Sequence, residues 1–150
     1  MLARVTLLRR LSQGSAVPRP GLKIRFASAE TSPLQSFQES LDAETLVKEL
    51  SAVHPCFVLS KQQCPFCVRA KSLLTNLEAR FHVYELDELT PDAKTTLQAY
   101  MKANTGAGSV PRVYVAGKCE GGFSEIQRKL WAGALVPKLE AAGALEKGKG

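Results

Sequence analysis

The sequence predicts an α/β fold in which a small mixed sheet of four strands is flanked by about five helices. Two observations lead to this prediction. Segments with apolar residues at helical spacing alternate with short runs rich in β-branched and aromatic residues. In addition, a strand–helix–strand unit is followed by a helix and a closing hairpin, an order that places helices on both faces of a sheet. The expected order is α-β-α-β-α-β-β-α-α.

Local signals define the first elements. A helix is expected over residues 36–52, where apolar side chains recur at helical spacing. The apolar run 56–59 predicts a buried strand. A second helix is expected to begin at Cys64–Pro65, because proline is tolerated in the first turn of a helix.

The remaining elements follow from alternation, capping and turn residues. Alternating apolar residues predict a strand over 81–86, and Thr90 is expected to cap a third helix that begins at Pro91. The last four elements are expected to be strands at 112–115 and 118–120, a helix from Gly121–Gly122 to about Trp131, and a helix over 133–142.

The first 29 residues differ from the rest in charge. They carry six basic residues and no acid, whereas the whole chain of 150 residues has a formal net charge of +6, so residues 30–150 are formally neutral. A nucleic-acid or membrane partner is therefore not expected. A leader rich in Arg and Ser without a continuous apolar core is typical of a transit peptide, and its alternative is a disordered basic tail.

The expected domain organisation follows from this leader. Residues 1–29 are predicted to be a disordered transit peptide that directs the chain to the mitochondrial matrix, with cleavage near 26–29. Residues 30–36 are expected to be a linker, 37–145 one folded domain, and 146–150 a frayed tail.

Four cysteines indicate the chemistry. Two residues separate Cys64 from Cys67, whereas Cys56 and Cys119 stand alone, a pattern more typical of a catalytic or metal site than of a disulfide framework. Cys64 lies at a predicted helix N-terminus, where unpaired N–H groups and the helix dipole stabilise a thiolate. We therefore expect Cys64 to be a nucleophile and Cys67, one turn deeper, to be the thiol that resolves its disulfides.

The spacing alone leaves other readings open. The pair could be half of a zinc site, two inert buried thiols, or part of an iron–sulfur site. No second Cys-x-x-Cys follows and neither histidine has a partner at zinc-finger spacing, which argues against zinc. Cys56 is expected to be a buried inert thiol. Cys119 is expected to lie on an edge strand, near the groove that the family resemblance described next implies.

Five features occur in a fixed order and spacing. They are Lys61 three residues before Cys64, Cys64-Pro65-Phe66-Cys67, Gln98, Ser109-Val110-Pro111, and Gly121-Gly122-Phe123-Ser124-Glu125. In these features residues 38–142 resemble a dithiol glutaredoxin, a protein of the thioredoxin fold. The resemblance implies an oxidoreductase that uses glutathione or a related small thiol. Cys64 alone would reduce protein–glutathione mixed disulfides, and Cys64 with Cys67 would reduce protein disulfides.

The resemblance also implies a glutathione site. Lys61 and Gln98 match positions that bind the glycine carboxylate. Val110, before a Pro111 that the family holds in cis, offers its backbone to the tripeptide like an added strand. Ser124 matches a position that receives the γ-glutamyl carboxylate at a helix N-terminus.

Three further positions complete the implied site, and four positions depart from the family pattern. Phe66 replaces the commoner Tyr, and Ser109 replaces Thr. Phe66 would form an aromatic wall, and Gly122 would let the chain approach the ligand closely. Glu125 replaces the usual Asp beside the γ-glutamyl group, and Gly108 stands where relatives often carry Arg.

The alternative that the resemblance leaves open is a glutathione-assisted [2Fe–2S] carrier. Two subunits would each supply Cys64, and two glutathiones would complete the four thiolates. In the family, a proline at position 65 disfavours this role. A monomer without a resident metal is expected otherwise.

Overall fold

The structure, a computed structural model, describes residues 32–148, so the predicted leader lies outside the described residues. Within this range there are six α-helices, one short 3₁₀ helix and four strands. The elements are α1 (Pro33–Ser40), α2 (Ala43–Val53), β1 (Cys56–Ser60), α3 (Pro65–Asn76), β2 (His82–Glu85), the 3₁₀ helix (Leu86–Glu88), α4 (Pro91–Thr105), β3 (Arg112–Val115), β4 (Lys118–Gly121), α5 (Phe123–Trp131) and α6 (Leu135–Ala142).

The predicted mixed sheet of four strands is confirmed. Its strand order is β2-β1-β3-β4, with β1 parallel to β2, antiparallel to β3, and β4 antiparallel at the edge. All five residues of β1 are buried, as expected for a central strand covered on both faces.

Alternation along β1 divides the core into two clusters, one on each face of the sheet. Phe57 and Leu59 pack with buried residues of α1, α2 and α4. Cys56 and Val58 pack with buried residues of α3, α5 and α6. β3 contributes to both clusters in the same way, through Tyr114 on one face and Val113 and Val115 on the other, so the two central strands separate the two layers of helices.

The helix expected over 36–52 is wrong as one element. Its apolar spacing continues through a break at Leu41, which has a left-handed φ of 56° and ends α1. Asp42 then starts α2 by accepting a hydrogen bond from the Thr45 N–H at 3.0 Å. The first helix also begins at Pro33, after a capping box between Ser32 and Gln35, so residues 33–36 of the expected linker are helical.

Other boundaries differ by a few residues. The strand expected to reach residue 86 ends at Glu85, where the 3₁₀ helix begins, and the last helix begins at Leu135 instead of 133. The Thr90 cap of α4 is confirmed, since its hydroxyl accepts from the Ala93 N–H. In the tail expected to be frayed, the Gly148 N–H donates to Glu140. None of the described helices is long and apolar enough to cross a membrane.

Candidate active site

Four chain segments meet at one end of the sheet, where β1 and β4 end and β3 begins. β1 ends at Ser60, and β3 begins beside this end because Arg112 pairs with Leu59. β4 ends at Gly121, opposite Val113, so α5 starts at the same end. The loop after β1, the start of α3, the loop before β3 and the start of α5 are thereby brought together.

Cys64 is the N-cap of α3, as the sequence predicts. It makes no side-chain cap, and its partly exposed thiol lies 3.9 Å from the Val110 carbonyl oxygen. The first helical residue is Pro65, which has no N–H to satisfy. A thiolate at Cys64 would therefore lie at the positive end of the helix dipole and within reach of solvent.

Cys67 is fully buried one turn further along α3. Burial raises the pKa of its thiol, and contact with the Cys64 side chain raises it further, while the Lys61 backbone N–H and the Ser60 hydroxyl act in the opposite direction. All four cysteines of the chain are free thiols. The pair thus combines an accessible thiol with a neighbouring buried thiol that stays protonated at neutral pH.

The loop between β1 and α3 is fixed by a residue that sequence reasoning did not identify. The Asp87 carboxylate, on the 3₁₀ helix, accepts a hydrogen bond of 2.7 Å from the Gln62 N–H. This contact anchors the loop two residues before Cys64. In the sequence Asp87 is one of several acids after β2, and no local pattern distinguishes it.

A groove of about 180 Å³ lies beside the cysteine pair. Six of the predicted ligand residues line it, together with three that were not predicted to bind the ligand. The predicted residues are Phe66, Val110, Pro111, Gly122, Ser124 and Glu125, and the others are Ser109, Arg112 and Phe123. The Val110–Pro111 peptide bond is cis, as the resemblance implies.

Aromatic rings form one wall of the groove. Phe66 is 53% exposed, and its ring centroid lies 6.2 Å from that of Phe123 on α5. The Arg69 guanidinium lies over the outer side of the Phe66 ring, 5.6 Å from its centroid. An aromatic pair with one exposed ring beside the Cys64 thiol offers an apolar surface to a bound molecule.

The turn into α5 also lines the groove. Gly121 has a φ of +110°, and a side-chain carbon there would lie 2.5 Å from the Cβ of Glu125, so only glycine fits. The Glu125 carboxylate accepts from the Gly122 N–H at 3.1 Å. Glu125 is thus engaged in capping its own helix, whereas Ser124 is exposed at the start of α5.

Lys61 and Gln98 are not part of the groove lining. Lys61 follows the end of β1, where its backbone contacts the Cys67 thiol. The Gln98 amide reaches the loop before β3 through a long hydrogen bond of 3.4 Å to the Gly108 carbonyl. A side-chain carbon at Gly108 would lie 2.7 Å from the Gln98 carbonyl oxygen, so this loop packs too closely on α4 for an arginine at position 108.

The two remaining cysteines do not line the groove. Cys56 is fully buried at the start of β1, and burial raises the pKa of its thiol to about 12. Cys119 is on the edge strand, as predicted, and lines a cavity of about 690 Å³ that adjoins the groove, since Arg112 and Glu125 line both. Burial raises the pKa of Cys119 as well, although the Gly121 N–H and the Arg112 charge act in the opposite direction.

Arg112 was expected only as a strand residue. Its side chain lies between the groove and the larger cavity and is 5% exposed. The sequence held one signal, a charged residue at the start of a run otherwise suited to a buried strand. Such a residue needs polar partners inside the protein.

Comparison with known proteins finds one family. A glutaredoxin family model matches residues 56–120. Glutaredoxin-C1 of Arabidopsis thaliana is 39% identical over 98 residues, which are 65% of this chain and 77% of that protein. Human Glutaredoxin-1 is 34% identical over 90 residues, which are 59% of this chain and 85% of that protein.

Solved structures agree. A crystal structure of a buckwheat glutaredoxin–glutathione complex is 34% identical and has a TM-score of 0.64, covering 72% of this chain and 96% of that one. The solution structure of reduced glutaredoxin C1 from Populus tremula x tremuloides is 35% identical and has a TM-score of 0.65, covering 79% of this chain and 97% of that one.

Proposed function

This chain belongs to the glutaredoxin family, and we propose that it is a glutathione-dependent oxidoreductase that reduces protein–glutathione mixed disulfides. The observation that carries the proposal is the placement of Cys64. It combines a helix N-terminus, partial exposure, and a position beside a groove whose wall is the cis Val110–Pro111 backbone. The buckwheat relative was crystallised with glutathione, which supports the choice of thiol.

The first step is thiol–disulfide exchange. The Cys64 thiolate attacks the glutathione sulfur of the mixed disulfide and forms Cys64–S–S–glutathione. The protein thiolate leaves and takes a proton from solvent. Exchange of this kind is fast when the attacking thiol is substantially ionised and the leaving thiolate is stable.

The second step regenerates the enzyme. The thiolate of another glutathione attacks the glutathionyl sulfur on Cys64, which releases glutathione disulfide and the Cys64 thiolate. Both steps need only one cysteine of the protein. The partial exposure of Cys64 lets both sulfur substrates approach it.

Protein disulfides follow a route that uses both cysteines. Cys64 opens the disulfide and stays bound to the substrate, and Cys67 then attacks the Cys64 sulfur, releases the second substrate thiol and closes the Cys64–Cys67 disulfide. The buried Cys67 thiol, whose pKa is raised, is protonated in the reduced enzyme, and in this step it loses its proton while the leaving substrate thiolate takes one up. Its contact with Cys64 places the two sulfurs for this step.

Recognition of glutathione is proposed to extend across the site. The Val110 backbone would pair with the cysteinyl unit, and the N-terminus of α5 at Ser124 would receive the γ-glutamyl carboxylate. Lys61 and Gln98, which lie outside the groove lining, would bind the glycine carboxylate. A direct contact from Glu125 to the γ-glutamyl amine would compete with its bond to the Gly122 N–H.

The choice of reductant tests the proposal. Purified protein is given a glutathionylated peptide with either glutathione or a thioredoxin-type protein reductase as the electron source. The expected result is turnover with glutathione and little with the protein reductase. Turnover that depends on the protein reductase, with none from glutathione, would contradict the proposal.

A second candidate function is the [2Fe–2S] carrier. The described residues contain no group of three or more metal-ligating side chains, so ligands from a second subunit and from glutathione would be needed besides Cys64. The accessible Cys64 fits such a site, whereas Pro65 fixes the turn beside it. Protein purified and reconstituted without oxygen decides the matter. A visible absorption band and a dimer favour the carrier, and a colourless monomer excludes it.

We also propose that residues 1–29 direct the chain to the mitochondrial matrix. The support is the sequence alone, with six basic residues and no acid in this segment. The test is import of the full chain into isolated mitochondria, compared with a variant in which Arg4, Arg9 and Arg10 are replaced by Gln. Equal import of the two, or import of neither, would contradict the proposal.

A further inference from the structure

Arg112 carries a buried charge that has no carboxylate partner. The guanidinium takes part in none of the ion pairs shown among residues 32–148, which join Lys48 to Glu44, Lys71 to Glu85, and Lys129 and Lys138 to Glu120. A buried charge is costly unless it is paired or well hydrogen-bonded. The residue is 5% exposed, so contact with water compensates little for the missing carboxylate.

The partners that Arg112 does have belong to the loop before β3. Its Nε donates to the Ala107 carbonyl at 3.2 Å, and its Nη2 donates to the Ser109 hydroxyl at 3.3 Å. These two residues flank Gly108, directly before Val110. The guanidinium therefore fixes the segment whose backbone is proposed to pair with glutathione.

The remaining nitrogen, Nη1, lies beside the turn into α5, which also lines the groove. A side-chain carbon at Gly122 would lie 3.5 Å from Nη1, so this nitrogen is packed against the turn that starts α5. Nη1 has no hydrogen-bond acceptor among the described residues. Arg112 is also the single cation in the groove lining, whose one acid, Glu125, is engaged with the Gly122 N–H.

From this geometry we propose that Arg112 is a specificity-determining residue that selects ligands with a carboxylate at the α5 end of the groove. The inference rests on the proposed function and concerns the γ-glutamyl carboxylate of glutathione. That carboxylate supplies the counter-charge which the protein does not provide. Arg112 stabilises it electrostatically, while its two hydrogen bonds hold the Val110 segment in place.

The test compares two substrates that differ in one group. The first is a peptide–glutathione mixed disulfide. The second carries 4-aminobutyryl-cysteinylglycine, which keeps the amine and the backbone of glutathione but lacks the γ-glutamyl carboxylate. The quantity measured is the ratio of kcat/KM for the two substrates, with glutathione as reductant throughout.

The expected result depends on charge at position 112. Arg112→Met should lower the ratio about tenfold, which corresponds to about 1.4 kcal/mol. Arg112→Lys should keep most of the ratio because it keeps the cation. Lys118→Met, which removes a cation from the exposed edge strand outside the groove, should leave the ratio unchanged.

A purely structural role gives a different pattern. If Arg112→Met lowers kcat/KM equally for both substrates, or changes neither, the inference is wrong. A wild-type protein that does not turn over the glutathionyl peptide would instead contradict the proposed function.

A second measurement avoids dependence on a folded variant. In the reduced wild-type protein, the Arg112 Nε–H and Val110 amide resonances are followed while S-methylglutathione or its 4-aminobutyryl analogue is added. Val110 should respond to both ligands and Arg112 mainly to the first. A response of Arg112 that is equal for the two ligands overturns the inference, whereas silence of Val110 toward both counts against the proposed function.

Discussion

Strand β1 has a cysteine near each of its ends, and the two thiols are in opposite surroundings. Cys56 begins the strand within the core, where burial raises its pKa to about 12. Cys64 lies beyond the other end, at the start of α3, partly exposed and beside the groove. The same side chain is thus inert or reactive according to whether the backbone around it leaves N–H groups and water available.

The largest expected effect separates Cys64 from both buried thiols. Cys64→Ser should lower turnover of a glutathionylated peptide by at least about a thousandfold, because the attacking sulfur is lost. Cys67→Ser should retain this activity and lose only the reduction of protein disulfides. Steady-state turnover with glutathione measures both.

Cys56→Ala is the matched control for this prediction. It should cost about 1 kcal/mol of stability through lost packing and leave turnover unchanged. If a folded Cys67→Ser protein lost deglutathionylation, the roles assigned to the two cysteines would be wrong.

Alkylation sharpens the same comparison. Because its pKa is about 12, Cys56 holds on the order of 10³ less thiolate than an ordinary cysteine at neutral pH. Native protein treated with iodoacetamide between pH 7 and 9 should therefore be modified at Cys64 well before Cys56, as peptide mapping would report. In denaturant both should react. Equal rates in the native protein would refute the difference in surroundings.

A third prediction concerns how the functional end of the sheet is held. Glu120 on β4 accepts from Lys129 on α5 at 2.6 Å and from Lys138 on α6 at 2.8 Å. Burial alone would raise the pKa of Glu120, but the two lysines outweigh it and hold this pKa below its usual value. Glu120→Gln should lower the free energy of unfolding at pH 7 by about 1–3 kcal/mol, measured by urea denaturation.

The contribution of Glu120 to the free energy of unfolding depends on pH. A carboxylate with a lowered folded-state pKa stabilises the protein above its unfolded pKa of about 4.3, and this contribution is lost as the pH falls through the folded pKa. As the pH falls below 4.5, the Glu120→Gln variant should therefore lose less free energy of unfolding than the wild type does. Glu44→Gln, which breaks an exposed ion pair with Lys48, should change little. If Glu120→Gln and Glu44→Gln changed the free energy of unfolding equally, burial would not be the reason for the strength of the Glu120 ion pairs.

The smallest effect is expected at the opposite end of β1. His54 stacks on His82 with ring centroids 4.3 Å apart and hydrogen-bonds Tyr84. Burial, and to a lesser degree His82, lowers the pKa of His54. Stability should therefore decline modestly as the pH falls below about 6.5, where the unfolded chain takes up a proton that the folded protein binds less well.

His54→Gln is the variant that isolates this group. It should remove part of the decline between pH 7.5 and 5.5 and leave turnover unchanged, because this end of the strand is remote from the groove. A slope identical to that of the wild type would assign the decline to other groups.

The strands could be predicted from sequence because their local patterns agree with their burial. The runs at 112–115 and 118–120 match β3 and β4 to within one residue. The first helix could not be divided correctly, since a leucine in a left-handed conformation gives no sequence signal and the apolar spacing continues across it. The Asp42 cap was the available sign of a new helix.

The residues of the site were predicted from short motifs of the family, whereas apolar spacing predicted only helices and strands. Six of the residues named from the resemblance line one groove. Lys61 and Gln98 lie outside it, and Arg112 and Asp87 were missed because their roles depend on which loops the sheet brings together. The location of Cys119 depends likewise on the register of β4, which places it in the adjoining cavity.

The most direct test of the account is the site at which the first glutathionyl group is deposited. Cys67→Ser protein, fully reduced, is mixed with one equivalent of a glutathionylated peptide, quenched with acid and analysed by intact mass and peptide mapping. The account predicts one glutathionyl group per chain, on Cys64, with Cys56 and Cys119 unmodified. A glutathionyl group found first on Cys119, or none on Cys64 while the peptide is released, would contradict it.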